Sequence, residues 1–225
     1  MVINIYRPQI IMTTLHAGEF LLRPFKATDA PAFAAAVRES MNTVGQWMSW
    51  AHAAFNEQDA LAWFAACDAG RAAGSSHEFG IFGHDGRTFV GGAGLNQFNG
   101  THAFCNLGYW VREAAQRQGA ALAATRLLAQ HAFTTLQQSR VEIVVADGNT
   151  ASLNVARKAG AAYECLARNR LRLHGLPVDA HVFALLPDDV TAHPQPGEGS
   201  VRTNPSAPPQ PHSCAAPASA PPAAA

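Results

Sequence analysis

The stretch that most constrains this chain runs from Leu107 to Gly160, because its alternation of strands and helices can be packed in few ways. Leu107-Gly108-Tyr109-Trp110-Val111 reads as a strand, and Gln116-Arg117-Gln118-Gly119-Ala120-Ala121 opens a long alanine-rich helix expected to run to Leu136. That helix places Ala121, Ala124, Leu128, Ala132 and Leu136 on one stripe, a small-residue face suited to a sheet. Arg140 to Ala146 follows as a strand, with Val141, Ile143 and Val145 on one side and Glu142 and Val144 on the other. Asn149-Thr150-Ala151-Ser152 then opens a second helix that ends at Lys158-Ala159-Gly160. Two helix starts delivered to one region form a candidate anion site, since first-turn N–H groups lack intrahelical partners and the dipole there is positive.

The rest of the chain supplies a sheet for this stretch to join. Glu19 to Phe25 is predicted as a strand, and Thr28-Asp29 with Pro31 starts a helix reaching Glu39. Asn56-Glu57-Gln58-Asp59 opens a helix to Ala73, with Leu61, Phe64, Ala65 and Cys67 expected towards one side. Strands from Glu78 to Gly83 and from Thr88 to Leu95 flank the hairpin signal Asp85-Gly86, and Ala103 to Val111 follows the Asn99-Gly100 turn. Gly91, Gly92 and Gly94 require a bulge or a close backbone approach, and a bulged, twisted strand is the expectation. After the second helix, Ala162 to Ala167 and Val178 to Leu186 read as strands joined across His174-Gly175-Leu176-Pro177. The fold class is α/β (α+β): a mixed, mostly antiparallel sheet with about four helices.

Composition sets the limits on function. Formal charge is zero and no long basic run occurs, so neither counterion release on nucleic acid nor long-range steering is expected. Cys67, Cys105, Cys165 and Cys214 are scattered without CxxC spacing, which implies a reducing compartment and no structural metal. The start is broken by Asn4, Arg7 and Pro8, unlike a secretory leader, and no apolar run approaches a membrane span. A cytoplasmic protein is expected. From Asp188 the sequence turns Pro-, Ala- and Ser-rich, so the expected division is an extension over 1–18, a domain over 19–187 and a disordered tail over 188–225.

The helix-opening loop is not a Walker phosphate loop, lacking Gly-Lys-Ser/Thr, nor a dinucleotide fingerprint, lacking the further glycines. Gln116, Gly119 and Ala121 fit a Gln/Arg-x-x-Gly-x-Gly/Ala pattern that resembles the acyl-CoA loop of the GNAT superfamily of N-acetyltransferases. Trp47-Met48-Ser49-Trp50, Leu107 to Val111, Asn149-x-x-Ser152, Lys158-Ala159-Gly160 and Asp179 to Leu186 extend the resemblance to the RimJ/RimL-type branch, which acetylates protein N-termini.

That resemblance implies a single GNAT-like domain whose sheet splays between the strand ending at Val111 and the strand of Val141 to Ala146. Acetyl-CoA is the implied cosubstrate, with pantetheine in the splay beside Trp110 and Val111. Its pyrophosphate is expected on the N–H groups of Arg117, Gln118, Gly119, Ala120 and Ala121, with Gln116, Asn149 and Lys158 also at the cofactor. Ser152 is the implied aid to the departing thiolate, and Trp47 and Trp50 are candidates for the acceptor cleft. The tyrosine acid of many members is replaced by Ala156, and Arg168-Asn169-Arg170-Leu171-Arg172 supplies no carboxylate where some members have a base. Glu142 is therefore the candidate base, directly or through water.

The leading acceptor is a ribosomal or other protein N-terminus: an α-amine of pKa about 7.7–8.0 is far more often neutral than a lysine at about 10.4. A small-molecule acceptor (amino acid, polyamine or drug amine) and a non-catalytic acyl-CoA-binding module remain alternatives. No membrane partner is expected, and the chain is a monomer or homodimer.

Overall fold

The computed structural model describes residues 14–191. Met1, Met12, Cys214 and nearly all of the expected tail therefore lie outside the described residues. The sheet has eight strands: β1 (Leu15–Ala17), β2 (Phe20–Arg23), β3 (His77–Gly83), β4 (Phe89–Asn99), β5 (Phe104–Val111), β6 (Arg140–Ala146), β7 (Ala162–Leu173) and β8 (Leu176–Leu185). Their spatial order is β1-β2-β3-β4-β5-β6-β8-β7. Among the described residues five α-helices accompany them: α1 (Ala30–Glu39), α2 (Glu57–Ala73), α3 (Ala120–Thr134), α4 (Thr150–Ala159) and the short α5 (Pro187–Thr191). The expected mixed sheet with about four substantial helices is what the chain forms.

Local chemistry explains the turns. Asp85 Oδ1 accepts from the N–H groups of Arg87 and Thr88, both at 2.9 Å, closing the β3–β4 hairpin around Gly86 at φ +65°. Asn56 caps α2 by accepting from Gln58 and Asp59, while Asp59 accepts from the Asn56 N–H. His174 and Gly175, at φ +48° and +83°, form the two-residue turn between β7 and β8.

β5 and β6 are parallel neighbours, but they pair only at Phe104↔Arg140, Cys105↔Val141 and Asn106↔Glu142. Beyond Asn106 that pairing ends, while β6 stays paired with β8 on its other side from Val141 to Ala146. The result is the V-shaped opening implied by the resemblance. One sheet face packs Phe79, Leu95, Leu107, Ile143 and Phe183 against Ala124 and Leu128 of α3. The other packs Phe82, Phe89 and Trp110 against Phe33 of α1 and Phe64 of α2.

Four expectations are corrected. α3 begins at Ala120, not Gln116, because Gln116 is extended and Gly119 is left-handed at φ +87°. The buried side of α2 is Ala60, Phe64 and Cys67, while Leu61 and Ala65 face out. β7 continues past Ala167 to Leu173 through an irregularity that contains Asn169 at φ +50°. The sheet also starts earlier than read, at Leu15 inside the expected extension, where β1 pairs with β2.

Candidate active site

The site is built where β5 leaves β6. Gly91, Gly92 and Gly94 on β4 are required by close approach: a Cβ at Gly91 would overlap the Trp110 carbonyl, and one at Gly92 would lie 2.7 Å from the Trp110 indole nitrogen. A Cβ at Gly94 would overlap the Glu78 carboxylate. The expected bulge is present as well, where Ile81 faces Gly91 and Phe82 faces Phe89.

The connection from β5 to α3 is tied to the end of α1. Glu39 forms an ion pair with Arg112 and accepts from the Ala114 N–H at 2.8 Å, and Ser40 Oγ accepts from the Glu113 N–H at 2.9 Å. The Arg112 hydrogen bond, against a smaller effect of burial, holds the Glu39 carboxyl below its usual range. Gln116 donates to the Val111 carbonyl at 3.2 Å, and Gln118 donates to the Ala114 carbonyl at 3.3 Å. Arg117 and Gly119 are both left-handed, at φ +65° and +87°. Space above Gly119 is open, and the Ala123 N–H bonds the Gly119 carbonyl at 2.9 Å. The N–H groups of Gly119 to Leu122 thus have no intrahelical acceptor. A left-handed pair leading into a helix is a concave run of donors suited to phosphate oxygens.

Across the opening stands α4. Asn149 caps it, its Oδ1 accepting from the Ser152 N–H at 3.1 Å. Ser152 Oγ lies 2.9 Å from the Tyr109 phenol oxygen, and that phenol also donates to the Ser152 carbonyl at 3.2 Å. Burial pushes the Tyr109 phenol up to about 12, with the Ser152 hydrogen bond pulling weakly the other way, so it is a neutral proton donor at physiological pH. Ala156, where the resemblance leads one to look for a tyrosine, is fully buried, and Tyr109 brings a phenol to this region from β5. Sequence reasoning missed Tyr109. Its signal was a single polar tip on the otherwise apolar Leu107–Tyr109–Val111 face of β5.

On the other sheet face a cavity of about 380 Å³ opens towards β5. Aromatic walls come from Phe33, Phe55, Trp50 and Trp110, among others, and Glu78, Asn96 and Gly108 also line it. The Trp50 and Trp110 rings lie 5.6 Å apart, and Phe33 meets Trp110 edge-on at 5.3 Å.

The expected residues divide as follows. Val111, Gln116, Arg117, Gln118, Gly119, Ala120 and Ala121 form the connection into α3, and Asn149 and Ser152 share the first turn of α4. Lys158 is exposed in the last turn of α4, and its carbonyl accepts from Arg126 of α3 at 2.7 Å. Trp50 lines the cavity, whereas Trp47 reaches over Gly148 in the loop before α4. The Trp110 side chain lies in the aromatic wall, away from α3, because the strand alternation turns it to the α1 face. Glu142 stands outside the cavity lining, in an ion pair with Arg140 at 3.0 Å and 3.9 Å from Arg170. Its carboxylate is committed to guanidinium groups, not presented as a base. Among the described residues there is no cluster of His, Cys, Asp and Glu that could hold a metal. None of the helices among them is long and apolar enough to cross a membrane.

Residues 19–162 match the family model described as an acetyltransferase (GNAT) domain. The chain is similar to "Probable N-acetyltransferase YjcK" of Bacillus subtilis, 33% identical over 115 residues; the match covers 50% of this chain and 64% of that relative. Among solved structures it is similar to a "putative ribosomal-protein-serine acetyltransferase" from Vibrio cholerae, at 31% identity and TM-score 0.70, covering 78% of this chain and 98% of the other. It is also similar to Mycobacterium smegmatis RimJ in complex with CoA-disulfide, at 26% identity and TM-score 0.71, covering 79% and 87%.

Proposed function

The chain belongs to the acetyltransferase (GNAT) domain family, and on that premise we propose that it transfers an acetyl group from acetyl-CoA to a primary amine. The observation that carries this reading is the Tyr109–Ser152 pair, a neutral phenol and a hydroxyl 2.9 Å apart beside the opening between β5 and β6. Acetyl-CoA supplies an activated acyl carbon and a thiolate leaving group.

The residues present fit such a cosubstrate. The donors from Arg117 to Ala121 are suited to the pyrophosphate, the β6-facing edge of β5 beyond Asn106, which has no strand partner, to the amides of a pantetheine arm, and Asn149 at the start of α4 to its flank, with Lys158 at the far end of that helix. Tyr109 and Ser152 then supply a hydrogen bond and a proton to the departing thiolate. Delivering that proton is worth about 10²–10⁴-fold in rate.

The acceptor class is where two readings part. A protein acceptor is supported by the name of the Vibrio cholerae relative, and its N-terminus by the low pKa of an α-amine. A small hydrophobic amine is favoured by the aromatic walls of the cavity. Cysteine usage supports a cytoplasmic setting. Thiol release from acetyl-CoA, measured with peptide N-termini and small amines side by side, tests the activity and separates the acceptors. Absence of turnover on every amine, with acetyl-CoA bound, would instead support a non-catalytic acyl-CoA-binding module.

A further inference from the structure

Glu78 is a carboxylate inside an aromatic cavity, and neither the family pattern nor the Tyr109–Ser152 pair uses it. Its placement follows from the register. Glu78 of β3 faces Gly94 of β4, and Gly94 faces Gly108 of β5, so the three share one sheet face. Two of the three have no side chain. The carboxylate lies over Gly94, closely enough that a Cβ there would overlap it, and a Cβ at Gly108 would meet nothing within 4 Å. There is thus an open space over Gly108, about one strand spacing (~4.8 Å) from the carboxylate, bordering the strand that edges the splay.

A chain of amides holds the carboxylate there. Asn106 donates to Asn96 Oδ1 at 3.0 Å, and Asn96 donates to Glu78 Oε1 at 3.1 Å. Oε2, the oxygen nearest the would-be Gly94 Cβ, accepts no hydrogen bond among the described residues, and Glu78 is part of the cavity lining. Burial raises the Glu78 carboxyl above its ordinary value, against the Asn96 hydrogen bond and the Arg71 charge, which both pull it down.

Resting on the acetyltransferase reading, we infer that Glu78 is the catalytic base, receiving through Oε2 a primary ammonium seated over Gly108, and that the acceptor carries this nitrogen on an apolar, aromatic-sized body. Glu78 takes one proton from R-NH3+, and the neutral nitrogen attacks the thioester carbon. The C–N bond forms, the C–S bond breaks, and the nitrogen's second proton balances the one that Tyr109 and Ser152 deliver to the thiolate. The products are the N-acetyl amide, CoA thiol and one proton, which Glu78 returns to water.

The walls select the body of the acceptor. Phe33, Phe55, Trp50 and Trp110 favour an apolar group and attract a cation to their faces, but their carbon surfaces leave peptide amides without partners. A polyamine would need several carboxylates, and Glu78 is the one in this lining.

The test uses the full chain with phenethylamine, spermidine and a serine-headed peptide as acceptors, and Glu78→Gln as the variant. Phenethylamine is expected to exceed the other two by at least about 10²-fold in kcat/KM. Glu78→Gln is expected to lower its kcat/KM by about 10²–10⁴-fold, the range for a general base, while calorimetry shows acetyl-CoA affinity unchanged. Tryptophan fluorescence reads phenethylammonium binding directly, with Trp50 and Trp110 in the wall, and that response is expected to weaken in Glu78→Gln. Wild-type turnover by a folded Glu78→Gln, or preference for spermidine or the peptide, would overturn the inference. If acetyl-CoA fails to bind yet phenethylammonium quenches in a Glu78-dependent way, the acetyltransferase reading fails and the ammonium site stands. If acetyl-CoA binds and no Glu78-dependent amine binding is seen, the ammonium site fails alone.

Discussion

The phenol oxygen of Tyr109 and the hydroxyl of Ser152 lie 2.9 Å apart across 43 positions of sequence, joining β5 to the first turn of α4. The contact exists because β5 and β6 stop pairing at Asn106, so that the Leu107–Val111 segment looks across to the helix that follows β6. One consequence is that the two groups act as a unit. Tyr109→Phe and Ser152→Ala should each lower kcat by about 10²–10³-fold, and the double variant should lose little more than the worse single one. Steady-state kinetics on the four proteins checks this; additive losses would mean independent roles.

Cofactor affinity should reside elsewhere. Gly119 stands at φ +87° beside open space, so a β-branched side chain meets backbone strain there, not a steric clash. Gly119→Val should weaken acetyl-CoA binding at least tenfold, about 1.4 kcal/mol, whereas Ser152→Ala should leave it nearly unchanged. Isothermal titration gives both values, and the reverse ranking would exchange the two roles.

The Glu78 carboxyl carries a pH signature. Facing it are Cys67 and Arg71 from α2 and Asn96 from β4; burial holds the Cys67 thiol at about 12, which leaves it neutral. With a folded pKa raised above 4.5, kcat/KM should rise with pH through that raised value and lose this limb in Glu78→Gln. Stability runs the other way. A raised folded pKa contributes stability that is present below about 4.5 and lost as pH climbs through the folded value. Glu78→Gln should therefore melt above the wild type near pH 7–8, and the advantage should vanish in acid. Melts across pH 3.5–8 decide it.

Asp29 makes the opposite case. Burial alone would raise its carboxyl, but two Arg23 hydrogen bonds at 2.8 and 2.9 Å and the Lys26 N–H at 2.7 Å outweigh that, and the pKa is lowered. Its stabilisation is present above about 3.8 and lost as pH falls through the depressed value. Both side chains are about 10% exposed, so removing one partner strands a desolvated charge. Asp29→Ala should cost about 3–5 kcal/mol in denaturant unfolding at pH 7.

The fold was legible where local chemistry decides it. Asp85-Gly86 marks a hairpin, Asn56 with Asp59 marks a helix start, and Leu107 to Gly160 carries the order of its elements in its residue pattern. Long-range register was not legible. Tyr109 and Ser152 meet only because the sheet splays, and Glu78 lies over Gly94 only because β3 and β4 pair as they do. The resemblance implies a place for Trp110 beside the cofactor; the alternation of β5 turns its ring to the aromatic wall. Glu142 looked available from its place in β6, but Arg140, two residues away on the same face, pairs with it. The edge strand β7 ran past its expected end because its outer half is exposed and arginine-rich, without the apolar alternation that identifies a buried strand.

By the proposed reaction, this splayed sheet delivers an acetyl group from acetyl-CoA to a primary amine. The most direct measurement of that transfer is the mass of the amine product after incubation with acetyl-CoA and the full chain, with thiol release followed in parallel. One acetyl group on the amine nitrogen is expected for each CoA thiol released, with both lost together in the Tyr109→Phe/Ser152→Ala double variant. Thiol release without N-acetylated product, or product formed equally well by that variant, would contradict the proposed reaction.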